Sequence, residues 1–264
     1  MSGESLRFAD RAVDTPVRSD STSSLIYRPK PKTKPRVRLL CFPYAGAGAA
    51  IFRLWPNHLP EHVEVVSLHP PARAHRLREP PLMRVEAMVE VAFETFRDLL
   101  DRPFAVFGHS LGAVVGAEFV RVASRGGLEA AHLFVSSRPP FLRPTRQLHK
   151  LADPDFISAM VERYQGIPKE ILADEDLVEL LLPALRADIE AMETFVHTGR
   201  AKLRCPTSVY GGAADPTVSL ADLQAWNQEV LVPCDIRLFA GDHFYLNTQT
   251  KTLLADVSAK LEAV

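Results

Sequence analysis

The chain has 264 residues, 47% of them hydrophobic, and a formal net charge of −1 from 31 basic and 32 acidic side chains. That size and apolar content suit one α/β domain with a sizeable core. The balanced charge leaves no electrostatic footprint for nucleic acid or an anionic membrane, and no apolar run approaches a membrane span.

Residues 1–35 are rich in Ser, Asp, Arg and Pro and end in Arg28-Pro29-Lys30-Pro31-Lys32-Thr33-Lys34-Pro35. They read as a poorly ordered extension, with residues 36–264 as the folded domain. No apolar leader segment is visible in the extension, so the chain is expected to be cytoplasmic. From residue 36 the pattern alternates. Strands are predicted at 37–42, 63–68, 103–107, 131–136, 206–210 and 234–239. Helices fall between them. In 84–100, Val85, Met88, Val89, Ala92, Phe93, Phe96, Leu99 and Leu100 form a stripe at helical period, with Glu86, Glu90, Glu94 and Asp98 opposite. A second helix is expected over 113–124, stopped by Gly126-Gly127, and a last one over about 248–262. Alternating strands and helices imply a mostly parallel sheet covered on both faces. Residues 140–200 interrupt the alternation with helical stretches at about 153–164, 168–173 and 175–197. An all-helical insert between two strands is expected to be a lid, with Pro183 kinking its longest helix or starting a new one. Cys41, Cys205 and Cys234 are widely separated, form no CxxC pair, and read as packing residues of a reducing compartment.

The most informative motif is Gly108-His109-Ser110-Leu111-Gly112. It follows the apolar run Phe104-Ala105-Val106-Phe107 and precedes a helix whose small residues Ala113, Gly116 and Ala117 allow close packing on a sheet. Gly-x-Ser-x-Gly between a buried strand and a helix is the nucleophile elbow of an α/β-hydrolase. Ser110 is therefore the candidate nucleophile.

A serine hydroxyl needs a base within hydrogen-bond reach and a carboxylate to orient that base. In this fold they follow in the order Ser, acid, His, on loops after later strands. His243, in Ala240-Gly241-Asp242-His243, meets that requirement. His109 reads as packing, and His58, His62, His69, His75, His132, His149 and His197 lack a strand-to-loop setting. Asp215 closes the turn Gly211-Gly212-Ala213-Ala214-Asp215 at a strand's C-terminal end. Asp242 adjoins the histidine too closely, Asp235 starts a strand, and Asp188 on an amphipathic helix reads as a solvated or capping charge. For the oxyanion, one backbone donor is expected from Leu111 N–H. The other is expected from Ala45 N–H in the early loop Pro43-Tyr44-Ala45-Gly46-Ala47-Gly48, which lacks the Gly-Lys-Ser/Thr ending of a phosphate loop.

With these motifs in hand, the chain resembles the type II thioesterases of polyketide and nonribosomal peptide pathways. The resemblance runs from about Val37 to Leu246. It rests on Cys41-Phe42-Pro43-Tyr44-Ala45-Gly46, Phe52-Arg53-Leu54-Trp55, the serine motif, Pro183-Ala184-Leu185-Arg186-Ala187-Asp188, Gly211 to Pro216, and Gly241-Asp242-His243-Phe244-Tyr245-Leu246. It implies an α/β-hydrolase fold with a helical lid, the triad Ser110, Asp215 and His243, and no metal or nucleotide cofactor. It also implies hydrolysis of acyl thioesters on the phosphopantetheine arm of acyl- or peptidyl-carrier proteins. Two departures stand out. The family's usual Leu-Pro-Gly-Arg is Leu68-His69-Pro70-Pro71-Ala72-Arg73 here, and its frequent Gly-Gly-His is Gly241-Asp242-His243. A general carboxylesterase or acyl-CoA thioesterase is the rival enzymatic reading. A catalytically idle module that docks on a synthase is the rival of another class.

Overall fold

A computed structural model describes residues 25–141, 147–164, 172–196 and 201–264. Seven strands form one sheet: β1 (Ile26–Tyr27), β2 (Val37–Phe42), β3 (Val63–Leu68), β4 (Phe104–His109), β5 (His132–Ser136), β6 (Thr207–Gly212) and β7 (Asp235–Phe239). Their spatial order is β1-β3-β2-β4-β5-β6-β7. All pairs are parallel except β1 with β3. Every residue of β2 to β6 is buried, as expected where helices cover both faces of a parallel sheet. The helices are α1 (Val85–Phe96), α2 (Leu111–Arg125), α3 (Asp153–Tyr164), α4 (Glu175–Thr194), α5 (Leu220–Gln224), α6 (Tyr245–Thr248) and α7 (Thr250–Leu261). Apolar side chains of α1 and α2 build a core on one face of the sheet, and those of α7 with Phe52 and Trp55 build one on the other.

The register decides where chemistry can occur. Phe42 lies opposite Gly108, His109 opposite Ser136, Ser136 opposite Tyr210, and Gly212 opposite Phe239. The carboxyl ends of five neighbouring strands are thereby level, so the loops that follow them gather at one rim.

The predicted strands and the α/β-hydrolase fold are borne out, with three corrections. Residues 25–35 are not a loose extension. Ile26 and Tyr27 pair with Leu68 and Ser67. The fully buried carboxylate of Glu64 accepts from Arg28 Nε at 3.0 Å, Lys32 N at 2.8 Å and Arg38 Nε at 3.2 Å. A buried carboxylate needs such partners, and the Arg28 guanidinium and the Lys32 backbone amide tie this segment to β3. Residues 1–24 of the predicted extension lie outside the described residues. Second, α4 continues through Pro183, so no new helix starts there. Pro183 and Glu179, whose carbonyl loses its usual donor, are both exposed, so water can replace the missing bond. Third, Asp188 is neither solvated nor a cap: it is 3% exposed and paired inside the protein.

Among its described residues the insert is mainly helical, with α3 and α4 over the rim that carries the gathered loops. Arg186 Nη1 of α4 donates to the carbonyls of His149 and Leu151 at 2.7 Å each, and Glu193 accepts from Leu148 N at 2.9 Å. The predicted stretch at 168–173 lies largely outside the described residues.

One packing histidine has a measurable consequence. His132 stacks on Phe134 with centroids 4.3 Å apart, and its Nε2 lies 2.9 Å from Ser208 Oγ. Burial, aided by the nearby Lys260 charge and opposed by Asp235 and Asp256, lowers its pKa to about 4 from an ordinary 6.5. As pH falls, the unfolded chain therefore takes up this proton before the folded one does. The site's contribution is intact above pH 6.5 and is lost as pH drops toward 4. The loss is on the order of 3 kcal/mol. Denaturant unfolding at stepped pH should show the decline, and His132→Gln should flatten it. An unaltered slope in that variant would assign the decline to other groups.

Candidate active site

Ser110 stands between β4 and α2 with φ 53° and ψ −116°, in a region that side-chain-bearing residues rarely occupy. Such strain costs of order 1–3 kcal/mol and persists only where the surroundings enforce it. Here the glycines of the motif permit it by letting backbone segments approach closely. A Cβ at Gly108 would sit 2.0 Å from the Gly112 carbonyl oxygen, and one at Gly112 would sit 2.1 Å from that of Phe42. Only bare backbone permits so tight a turn. Ser110 N donates to the Ser136 carbonyl at 2.8 Å, which fixes the turn against β5.

His243 and Asp215 come from the loops after β7 and β6. His243 Nδ1–H donates to Asp215 Oδ2 at 2.8 Å, with the two side chains 3% and 1% exposed. Asp215 Oδ1 is occupied separately: Thr217 Oγ1 donates to it at 2.7 Å and Thr217 N at 2.8 Å. Burial alone would raise the Asp215 carboxyl. The hydrogen bonds and charge of His243 and the two donors of Thr217 prevail and hold it below the usual carboxylate range. Nδ1 being committed, Nε2 is the ring nitrogen left to accept a proton.

Ser110 and His243 line one cavity together with Tyr44 and Ala45 of the early loop and Leu185, Ile189 and Met192 of α4. Aromatic rings enclose the base: Tyr164 of α3 lies 5.2 Å from the His243 ring, Phe244 5.1 Å and His109 5.3 Å, centroid to centroid. His109 packs as predicted. It is fully buried, and its Nδ1 lies 2.8 Å from Ser136 Oγ, which in turn lies 2.6 Å from Tyr245 Oη. Burial, reinforced by the adjacent His243, drives its pKa well below the ordinary histidine value. The ring is therefore neutral and places no charge beside His243.

Leu111 is the first residue of α2, so its N–H has no partner within the helix and points out of the positive end of the helix dipole. Asp242 does not compete for the histidine: its Oδ1 accepts from Phe244 N at 2.8 Å and shapes the turn. The departure at Pro71-Ala72-Arg73 is structural as well. Ala72 has φ 60° where the family has glycine, and Arg73 turns inward to donate to Pro71 O at 2.9 Å and to pair with Asp188.

Sequence reasoning missed Thr217, Arg73, Asp188 and Tyr164 as parts of this region. Thr217 alone left a local signal, because a threonine two residues after an aspartate commonly closes a side-chain-capped turn. Among the described residues no three His, Cys, Asp or Glu side chains group as metal ligands, and no helix is long and apolar enough to cross a membrane.

A parallel sheet with a strained serine elbow, facing an Asp-bonded histidine from later loops, defines an α/β-hydrolase. The thioesterase-domain family model matches residues 37–261. The thioesterase PikA5 of Streptomyces venezuelae is 38% identical over 94% of this chain and 89% of that protein. The gramicidin S biosynthesis protein GrsT of Aneurinibacillus migulanus is 34% identical over 80% of this chain and 83% of its own length. Among solved structures, the type II thioesterase BorB from the borrelidin biosynthetic cluster superposes with a TM-score of 0.83 at 30% identity, covering 90% of this chain and 98% of BorB. RedJ, a thioesterase of the prodiginine pathway in Streptomyces coelicolor, gives 0.80 at 31% identity, over 95% and 96% of the two chains. The chain belongs to the thioesterase family, and its likeness is to the type II thioesterases of polyketide and nonribosomal peptide biosynthesis.

Proposed function

We propose that the chain hydrolyses acyl thioesters carried on the phosphopantetheine arm of acyl- or peptidyl-carrier proteins, through an acyl-enzyme on Ser110. The observation that carries the mechanism is the Asp215–His243 bond beside a cavity shared with Ser110. His243 Nε2 takes the Ser110 proton as Oγ bonds to the thioester carbonyl. Asp215 fixes the Nδ1–H tautomer and stabilises the imidazolium. Leu111 N–H and Ala45 N–H receive the oxyanion. The C–S bond breaks, the imidazolium protonates the departing thiolate, and the acyl group remains on Ser110. Water then attacks while His243 again accepts a proton, the bond from Ser110 Oγ to the acyl carbon breaks, the imidazolium returns its proton to Oγ, and the free acid leaves. Water is the only co-reactant, so the cycle calls for no metal or nucleotide. The three cysteines are free, as suits a reducing cytoplasm.

The enclosing rings and the apolar face of α4 keep bulk water from the acyl-enzyme and suit an acyl chain rather than a charged group. The carrier as partner is supported by the relatives' pathways. The test compares one acyl group on three supports: a carrier protein, coenzyme A and a simple oxygen ester. The expected kcat/KM is roughly tenfold or more higher on the carrier than on coenzyme A, a difference of about 1.4 kcal/mol in transition-state binding. Equal values would favour an acyl-CoA thioesterase, and a preference for the oxygen ester would favour a carboxylesterase.

A further inference from the structure

The lid helix is tied to the loop that is to hold the oxyanion. Asp188 of α4 accepts from Gly46 N at 2.7 Å and pairs through the same Oδ2 with Arg73 Nη2. Gly46 directly follows Ala45. It has φ 79°, and a Cβ there would sit 3.1 Å from Leu185 Cδ1, so α4 rests against this backbone. Asp188 and Arg73 are 3% and 7% exposed. A buried carboxylate that receives an amide and a guanidinium is a fixed post, because the loss of either donor leaves charge uncompensated. One carboxylate oxygen thus joins α4, the loop after β2 and the loop after β3. The same face of α4, through Leu185, Ile189 and Met192, lines the Ser110 cavity.

We propose that Asp188 is a positioning residue that couples the lid to the oxyanion hole. With α4 seated, the carboxylate holds the 45–46 backbone and aims Ala45 N–H at the oxyanion position. When α4 lifts, Gly46 loses its acceptor and the donor swings out of line. Acyl transfer then proceeds only under a closed lid, and a substrate that fills the cavity without wedging α4 upward reacts fastest. Oxyanion donors act through preorganisation, so a displacement of a fraction of an ångström is costly.

The inference rests on the reading of Ser110 and Ala45 given above, and the experiment separates the two. Rates are taken per active site, counted by titration with a fluorophosphonate. A trifluoromethyl ketone bearing a short acyl chain reports on the oxyanion, since Ser110 Oγ adds to its carbonyl, the serine proton passes to His243, and the new alkoxide occupies the oxyanion position. Asp188→Asn should lower kcat about 10- to 100-fold with KM little changed, and should raise the ketone's inhibition constant by a similar factor. A role limited to stability would reduce the number of titratable sites and leave both constants intact, which would overturn the proposal. Should Asp188→Asn not fold, Arg73→Lys carries the same test, because it keeps the buried cation and removes the fixed guanidinium fork. It should move both constants in the same direction, and wild-type constants there would likewise overturn the coupling. Turnover retained by Ser110→Ala would instead refute the catalytic reading itself.

Discussion

Replacing Ser110 by alanine is expected to lower kcat by roughly four orders of magnitude or more on any thioester substrate. In the proposed mechanism the hydroxyl is the atom of the elbow that bonds to the acyl group, and alanine leaves nothing in its place. His109, just before it in sequence, is turned away into hydrogen-bonded contact with Ser136. The substitution is small: alanine tolerates the strained backbone no worse than serine, so stability should change by less than about 1 kcal/mol. Single-turnover kinetics and intact-mass spectrometry check the expectation together. Wild-type protein should show a transient mass increase equal to the acyl group less one hydrogen, and Ser110→Ala should show none. Turnover within tenfold of wild type would remove Ser110 from the mechanism.

Asp215→Asn should cost nearly as much, on the order of 10³- to 10⁴-fold in kcat at neutral pH. The carboxylate can only accept, so it holds the His243 proton on Nδ1, and in the proposed mechanism this leaves the Nε2 lone pair for serine. An asparagine can turn its amide N–H toward Nδ1 and favour the opposite tautomer, in which Nε2 carries the proton and cannot act as a base. Thr217 strengthens the expectation. It occupies Oδ1 and leaves Oδ2 for the histidine, so the carboxylate has one rotational setting rather than two. Because three groups act as one unit, the double variant Ser110→Ala, Asp215→Asn should be no slower than Ser110→Ala alone. Multiplied losses would mean that the aspartate acts independently of the serine.

Much of this site could be read from the chain because its parts are short and local. The interior strands are rich in apolar residues, and the elbow, the Gly-Gly-Ala-Ala-Asp turn and the Gly-Asp-His turn each sit at the carboxyl end of a strand. Strand order then brings them together without further information. What escaped the reading depended on distance or brevity. Asp188 lies on a helix with an apolar stripe, and nothing near it in sequence announces that its partners are Arg73 and Gly46, 115 and 142 residues away. The two residues of β1 are too few to show a period, and they lie in a stretch whose composition argues for disorder. Pro183 obeyed local rules only in part, because solvent on that side of α4 relieves the cost a buried proline would impose. Tyr164 joined the site through the folding-over of the insert, a tertiary event with no sequence signature.

The short antiparallel strand before β2 has a consequence for how the molecule behaves in a crowd of copies. A parallel sheet left open along its outer strand offers unpaired amides to any neighbour, a template for stacking one protein on the next. Ile26 and Tyr27 occupy part of that template beside β3. At the opposite margin, exposed Asp235 and Arg237 alternate along β7, with Lys260 paired to the first and Asp256 to the second. One margin is partly covered by the chain itself and the other carries paired charges, and both features oppose growth of the sheet from molecule to molecule.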